Sequence, residues 1–384
     1  MKLPAKSSLS RRRFIRQGAA AALSAPVLAG LPASSLASVR QANETLRLGW
    51  IGVGGRGTSL LRRGLDSVSV SNIKVTAICD IDTGARERGV STCGAMNPAS
   101  IYDYHELLER DDVDAVFIAT PIYLHAEHAT AALAAGKHVY CEKPLGPTPE
   151  DVKQIHDAVK KSGKKFQIGF QWRYHAGFLG LAETLQSGKI GKVNFVSAYR
   201  HVGGYPDAGW YVDRNLSGDL IVEQAVHEMN VFCWILDAHP LRASGFGGIN
   251  ALAGVPAERT IMDHYAVTYE FPEKLTLHYS HCVYAPDGLG GLDLTVYGDA
   301  NRGCRLAETT QLLVNADGRG AKPVDLPPLE DATGLAIQSF VKAIREDTEP
   351  LAGIEAGRNA TLMAILGRTA IHERRVVEWD EVAR

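Results

Sequence analysis

Gly52-Val53-Gly54-Gly55-Arg56-Gly57 sets three glycines in a G-x-G-x-x-G frame directly after the apolar run 46–51. Such a frame suits a phosphate group. Gly52 permits a tight turn, Gly54 lets backbone approach a pyrophosphate, and Gly57 lets a following helix pack close to the strand. The amides and dipole at the start of a helix over 58–65 would then face the phosphates. A glycine loop can also be only a turn, so its surroundings decide. A second apolar run, 75–79, ends in Asp80, twenty-three positions after Gly57. A carboxylate there can accept both ribose hydroxyls of an adenosine half, and its charge repels a 2′-phosphate. The pattern favours NAD over NADP, with Asp82 the competing acid.

The elements that must position these groups alternate. Runs 46–51, 75–79, 114–119, 137–141 and 166–168 read as strands. Between them lie an Ala-rich helix over 123–135, closed by Gly136, and a helix over 149–161 opened by Pro149. Short strands alternating with helices imply a parallel sheet with ligands at the strand ends. From Gly169 the rhythm changes: 192–199, 265–271, 275–280 and 292–297 alternate like half-buried strands. One helix over 220–236 interrupts them, and two more lie near the C-terminus. The expectation is an α/β fold in two parts. An N-terminal Rossmann dinucleotide-binding domain spans 45–168, and a C-terminal α+β domain spans 169–384, with a large, mostly antiparallel sheet.

The 384 residues are 45% apolar and 22% charged, an ordinary globular composition for about two domains. The net charge of −2 hides an asymmetry, because residues 1–37 hold six basic side chains and no acid. Without them 35 basic side chains face 43 acidic ones, which leaves no footprint for nucleic acid or an anionic membrane. Ser10-Arg11-Arg12-Arg13-Phe14-Ile15-Arg16 resembles the twin-arginine export signal. It is followed by an uncharged stretch, 18–30, too short to span a bilayer, and by Ser35-Leu36-Ala37 for a signal peptidase. Residues 1–37 are therefore expected to be a signal peptide, and the product periplasmic or otherwise exported, without stable membrane insertion. Six cysteines (79, 93, 141, 233, 282 and 304) show no C-x-x-C or metal-ligand spacing, so free, mostly buried thiols and no metal site are expected.

Further markers join the glycine loop: Ala119-Thr120-Pro121 with His125, Glu142-Lys143-Pro144, Gln171-Trp172-Arg173-Tyr174, Gly218 leading to His227, Trp234, and the tail from Glu355-Ala356-Gly357 to Arg374. Together they resemble the glucose–fructose oxidoreductase / inositol dehydrogenase (Gfo/Idh/MocA) family over about residues 45–380. The resemblance implies NAD or NADP in the first half and a sugar, cyclitol or related hydroxyl compound against the sheet of the second. Gly52, Gly54, Arg56, Gly57, Asp80, Thr120, Pro121, His125, Glu142 and Lys143 are then expected around the cofactor. His128 is read as a surface residue.

Dehydrogenation of an alcohol needs a base for the hydroxyl proton and a cation for the developing alkoxide. His227 suits the first role, since histidine titrates near neutrality, and Lys143 the second. Where relatives carry aspartate one helical turn before the histidine, this chain has Glu223, and Asn230 replaces a second aspartate. Arg173, Tyr174, His201, Trp210 and Tyr284 are the candidates for lining a sugar site, with Tyr199 beside them. The leading expectation is an exported oxidoreductase acting on a secondary hydroxyl of a sugar, glycoside or cyclitol with tightly held NAD. The alternatives are redox-neutral glycoside cleavage through a 3-keto intermediate and elimination, and a non-catalytic sugar-binding protein. By the same resemblance a homodimer or homotetramer is expected, with the twin-arginine machinery as export partner.

Overall fold

The computed structural model describes residues 45–67 and 72–384. The export-signal reading of 1–37 lies outside them.

The first half builds a six-stranded parallel sheet from β1 (Leu46–Ile51), β2 (Ile73–Cys79), β3 (Ala99–Ile101), β4 (Ala115–Ile118), β5 (His138–Cys141) and β6 (Phe166–Ile168), in the order β3-β2-β1-β4-β5-β6. The order reverses between β1 and β4, which leaves a crevice at their C-terminal ends. Helices α1 (Gly55–Asp66), α2 (Thr83–Thr92), α3 (Tyr104–Leu108), α4 (His125–Ala134) and α5 (Pro149–Ser162) connect the strands. Helix α5 shows how the sequence sets such ends. Thr148 and Asp151 form a reciprocal capping box, Pro149 takes the first turn, and Gly163 closes the helix at φ +65°.

The second half carries α6 (Ala176–Gln186), β7 (Phe195–His201), α7 (Arg214–Ser217), α8 (Leu220–Glu223), α9 (Val226–Leu236) and β8 (Arg242–Gly248). Then follow β9 (His264–Glu270), β10 (Thr276–Cys282), β11 (Gly291–Tyr297), β12 (Gly303–Ala307), β13 (Gln311–Asn315) and β14 (Lys322–Pro323). Helices α10 (Ala332–Arg345) and α11 (Ile354–Glu373) and strand β15 (Val377–Glu378) complete the chain. Nine strands pair in the order β14-β13-β12-β11-β7-β10-β9-β8-β15, antiparallel except for β7 beside β10.

Two sequence readings shift. The strand expected over 192–199 lies at Phe195–His201. The single helix expected over 220–236 is two, parted by a turn at Gln224 and Ala225. The carbonyl of Glu223 at that break accepts a bond from the Lys143 ammonium, a stronger donor than a helix amide.

The chain also returns to the parallel sheet. Trp50, Phe117 and Tyr140 stand in register on β1, β4 and β5 and stack at 4.4 and 4.8 Å between centroids, and Phe340 of α10 meets Phe117 and Tyr140 edge-on. All four rings are buried. Helix α10 thus covers a face of the first-half sheet, although in sequence it lies between β14 and β15 of the second-half sheet.

Candidate active site

The glycine loop has the expected shape. Gly52 lies at φ +87°, and a Cβ on it would press within 2.9 Å of Ala119 and Thr120. A Cβ on Gly57 would overlap the Gly52 carbonyl oxygen, whereas one at Gly54 would meet nothing within 4 Å. Gly54 is also the N-cap of α1 and supplies no side chain to the helix amides. Open space above exposed amides is what a phosphate requires.

Beside the loop lies a cleft of about 390 Å³, lined by Gly52, Gly54, Asp80, Thr120, Pro121 and Trp210 among others. Asp80 accepts from the amides of Val53 (2.8 Å) and Asp82 (2.9 Å), which aims its carboxylate along the loop. The Asp82 side chain caps α2 by accepting from Ala85 at 2.6 Å. Asp80 therefore opens on the cleft, whereas Asp82 serves the helix. These residues fit a dinucleotide: the loop is narrow where glycine is needed, open where phosphate would lie, and closed by a carboxylate.

The other expected cofactor residues divide. Arg56 and Glu142 form an ion pair at 2.7 Å, with Glu142 only 4% exposed, so they tie the glycine loop to the end of β5. His125 is fully buried, its Nδ1 2.7 Å from the Pro144 carbonyl and its Nε2 3.0 Å from that of Thr120. Burial holds its pKa below the ordinary value despite those carbonyls. His125 braces the two loops from beneath. His128, read from sequence as a surface residue, is instead buried, lines the cleft and bonds Thr120 through Nδ1 (3.1 Å). Burial pushes its pKa down to about 4.

The two halves meet at Lys143. Its Nζ donates to the Glu223 carboxylate and to the Glu223 carbonyl, both at 2.6 Å. The second carboxylate oxygen accepts from the Tyr205 hydroxyl at 3.0 Å. The extra methylene of glutamate thus reaches an ammonium on one side and a phenol on the other. Asp219 anchors the helix that carries Glu223. Its fully buried carboxylate accepts from the amides of Leu220 (2.7 Å) and Met262 (2.8 Å) and pairs with His372 Nε2 at 2.7 Å.

His227 lies on α9 one turn beyond Glu223 and is 8% exposed. Its ring stacks on Trp172 (5.2 Å), whose indole also stacks on Phe178 (4.6 Å). Burial, with Lys143, Arg200 and Arg56 adding to it, holds the imidazole pKa well below its ordinary value. The ring is neutral at neutral pH, as a base must be. Its Nδ1 is buried without a protein partner.

Several sequence candidates for the sugar site stand elsewhere. Successive strand residues face opposite ways, and on β7 it is Arg200 that turns toward α9, pairing with Glu228 at 3.4 Å and lying over Trp172. His201 consequently faces the other side of the sheet, where it bonds Ser280 and stacks on Tyr199. Arg173 is buried, bonded to Asn230 (2.9 Å) and the Leu351 carbonyl (3.0 Å), and burial lowers its pKa to about 10. Tyr174 packs against the first-half core and bonds Gln167. Tyr284 is 40% exposed and meets His264 edge-on. Trp210 lines the cleft beside the glycine loop.

Sequence reading did not single out Trp172, Arg200, Tyr205 and Glu228, which the structure gathers around His227 and Glu223. Arg200, His281 and Tyr265 stand abreast across β7, β10 and β9, on the face toward α9. Strand alternation was the signal that could have found Arg200. All six cysteines are free, five of them buried. Among the described residues no cluster of His, Cys, Asp or Glu could hold a metal ion, and no helix is long and apolar enough to cross a membrane.

Comparison with known proteins gives this arrangement a family. Residues 46–170 match the model of the oxidoreductase family with an NAD-binding Rossmann fold, and residues 178–302 match the GFO/IDH/MocA C-terminal domain. The chain belongs to the Gfo/Idh/MocA family. Inositol 2-dehydrogenase of Salmonella typhimurium is 36% identical over 194 residues, 50% of this chain and 55% of that protein. Its counterpart in Azotobacter vinelandii is 34% identical over 201 residues, 52% and 56% respectively. The chain thus matches only about half the length of these curated relatives. Among solved structures, an aldose-aldose oxidoreductase from Caulobacter crescentus complexed with glycerol is 19% identical with a TM-score of 0.76, covering 87% of this chain and 100% of that one. A levoglucosan dehydrogenase complexed with NADH and levoglucosan has the same identity and TM-score, over 87% and 99%. At that identity both likenesses show the fold: a Gfo/Idh/MocA Rossmann half joined to an open sheet.

Proposed function

We propose that this Gfo/Idh/MocA chain is an NAD-dependent oxidoreductase acting on a secondary hydroxyl of a sugar, glycoside or cyclitol. One observation carries the reading: the Lys143 ammonium, at the end of the glycine-loop half, is gripped by Glu223 from the other half, one helical turn from a neutral, buried histidine. A cation and a neutral base brought together beside a dinucleotide cleft are what alcohol oxidation requires. The relatives named inositol 2-dehydrogenase support a polyol substrate.

Gly52, Gly54 and the α1 amides would hold the pyrophosphate, and Asp80 the adenosine ribose, its charge favouring NAD over NADP. When bound, the dinucleotide supplies the hydride acceptor. Lys143 donates a hydrogen bond to the substrate oxygen as that oxygen gains negative charge. His227 takes the hydroxyl proton at Nε2, since Nδ1 is sealed. A base at Nε2 needs the ring's own proton on Nδ1. Trp172 holds the imidazole plane. Export by the twin-arginine route, with the cofactor carried inside the folded protein, and pairing of two open sheets into a dimer or tetramer belong to the same reading.

Incubating the purified chain with NAD and a panel of sugars, glycosides and cyclitols tests it. NADH should form with at least one secondary alcohol, whereas compounds that bind without ever reducing NAD would leave a sugar-binding protein. In deuterated water, deuterium at carbon 2 of a released sugar would instead show redox-neutral cleavage.

A further inference from the structure

One wall of the dinucleotide cleft comes from the opposite half of the molecule. Trp210, in the loop after β7, lines the cleft together with the glycine loop, Asp80 and Pro121. Its indole stacks on Tyr211 at 3.9 Å, and the Tyr211 ring meets Tyr205 edge-on at 6.0 Å. The Tyr205 hydroxyl donates to Glu223 Oε2 at 3.0 Å, and Glu223 Oε1 receives the Lys143 ammonium at 2.6 Å. Three rings and one carboxylate form an unbroken line of contacts from the cofactor wall to the cation of the active site.

We infer that Tyr205 is a positioning residue which sets the Glu223 carboxylate, and through it Lys143, according to whether a dinucleotide lies against Trp210. The inference rests on the proposed function, because it needs a dinucleotide in that cleft. A base or ring stacking on the indole fixes the Trp210 plane, and through it the two tyrosines. A fixed Tyr205 keeps its hydroxyl on one carboxylate oxygen and so leaves the other oriented toward Nζ. Without Tyr205 the carboxylate can turn, and both of its oxygens compete for the ammonium that the substrate oxygen needs. Burial and the neighbouring Glu223 hold the Tyr205 pKa well above its ordinary value, so this phenol donates throughout the physiological range. The aspartate expected from the resemblance is one methylene shorter than Glu223, and the reach to both partners belongs to the glutamate of this chain.

Linkage makes the idea measurable without turnover. If cofactor occupancy orders Tyr205, then removing the Tyr205 hydroxyl must weaken cofactor binding by the same coupling. After any bound nucleotide has been stripped and its absence checked by absorbance, NAD is titrated calorimetrically into the full chain, into Trp210→Leu, Tyr205→Phe and the double variant, with Tyr211→Phe as a control that keeps both ring contacts. Trp210→Leu should weaken NAD about tenfold, on the scale of a lost stacking contact. Tyr205→Phe should weaken it about threefold although Tyr205 does not line the cleft, and the double variant should bind within about twofold of Trp210→Leu alone. Tyr205→Phe should also shift the pH profile of kcat at saturating substrate. Melting curves with unchanged midpoints show that each variant is folded, and if Trp210→Leu melts early, Trp210→Phe takes its place. Wild-type affinity in Tyr205→Phe, or effects that simply multiply in the double variant, overturns the coupling while the proposed function stands. A wild-type chain that binds no NAD overturns both.

Discussion

Lys143 donates twice to one residue, to the carboxylate and to the backbone carbonyl of Glu223, each at 2.6 Å. The two groups are 80 positions apart in sequence and come from opposite halves. The double contact fixes the ammonium in direction as well as place, because the carbonyl sits at the break between α8 and α9 and cannot swing away. Lys143→Ala should therefore lower kcat by about 10²–10³, the usual loss when one donor to a developing oxyanion is removed. NAD affinity should stay within about twofold. Steady-state kinetics beside calorimetric NAD titration checks both. Unchanged turnover would remove Lys143 from the chemistry.

Trp172 stacks on both the His227 and Phe178 rings, and the Arg200 guanidinium lies over its indole. Its replacement by alanine would leave the imidazole free to rotate in a space shaped for one plane. Trp172→Ala should reduce kcat about tenfold or more through misplacement of the base, on the scale of losses from displaced catalytic geometry. Trp172→Phe, which keeps a ring in the stack, should recover most of it. Equal activity in the two variants would mean that the stack does not orient His227.

Asp80 and Asp82 compete for one role in the sequence and are separated by their partners in the structure. Asp80 bonds the glycine loop and opens on the cleft, while Asp82 caps α2. Asp80→Ala should weaken NAD about tenfold, the worth of a charged hydrogen bond to a ribose hydroxyl. Asp82→Ala should leave NAD affinity nearly unchanged and lower stability by about 1 kcal/mol, the ordinary loss of an N-cap. Calorimetry and urea denaturation on the pair separate the two effects, and a larger NAD loss in Asp82→Ala would reverse the assignment.

The parallel sheet was legible because its signals are local: β1 runs straight into Gly52, and Pro149 and Gly163 bracket α5 within a few residues of their effects. What stayed hidden depends on contacts made far along the chain. Arg173 looks like a sugar ligand in sequence, yet its guanidinium is taken by Asn230 and by Leu351, 178 positions away. The break in the helix over 220–236 has no proline or glycine to announce it, since the partner that stabilises it is Lys143. Residue type points to His201, whereas strand alternation turns its neighbour Arg200 toward α9. The return of α10 to the first sheet was equally hidden, because an amphipathic helix does not specify which apolar surface it will cover.

Arg56 and Glu142 connect the glycine loop to β5 through a pair in which Glu142 is nearly sealed and Arg56 about one-third exposed. Removal of the guanidinium strands a carboxylate where water barely reaches. Arg56→Ala should cost about 3 kcal/mol, at the low end for a broken buried pair because of the exposure of Arg56. Glu142→Gln should cost less, since the amide can still accept from Arg56. Urea midpoints with unchanged slopes give both values. A loss below about 0.5 kcal/mol in Arg56→Ala would mean that solvent already screens the pair.

Burial holds His125, His227 and His281 below the ordinary imidazole range and brings His128 and His138 down to about 4. In the unfolded chain the same five rings take up protons below about pH 6.5. There the unfolded state binds more protons than the folded one, so stability must fall as pH drops. The loss starts near pH 6.5 and continues downward until each folded ring is itself protonated, for His128 and His138 near pH 4. Each ring adds up to about 1.4 kcal/mol per pH unit to that slope. Glu228 works in the opposite sense, since burial raises its pKa and the folded state takes its proton first, but it is one group against five. Urea midpoints at pH 7.5, 6 and 5 should decline steeply below 6.5. Activity should follow a different course: with His227 already neutral, kcat/KM should show no acid limb from this residue near 6.5, only the collapse of the fold at lower pH. A reversible limb at 6.5 with a flat stability profile would mean that water reaches the imidazole, and the sealed base proposed for this site would have to be given up.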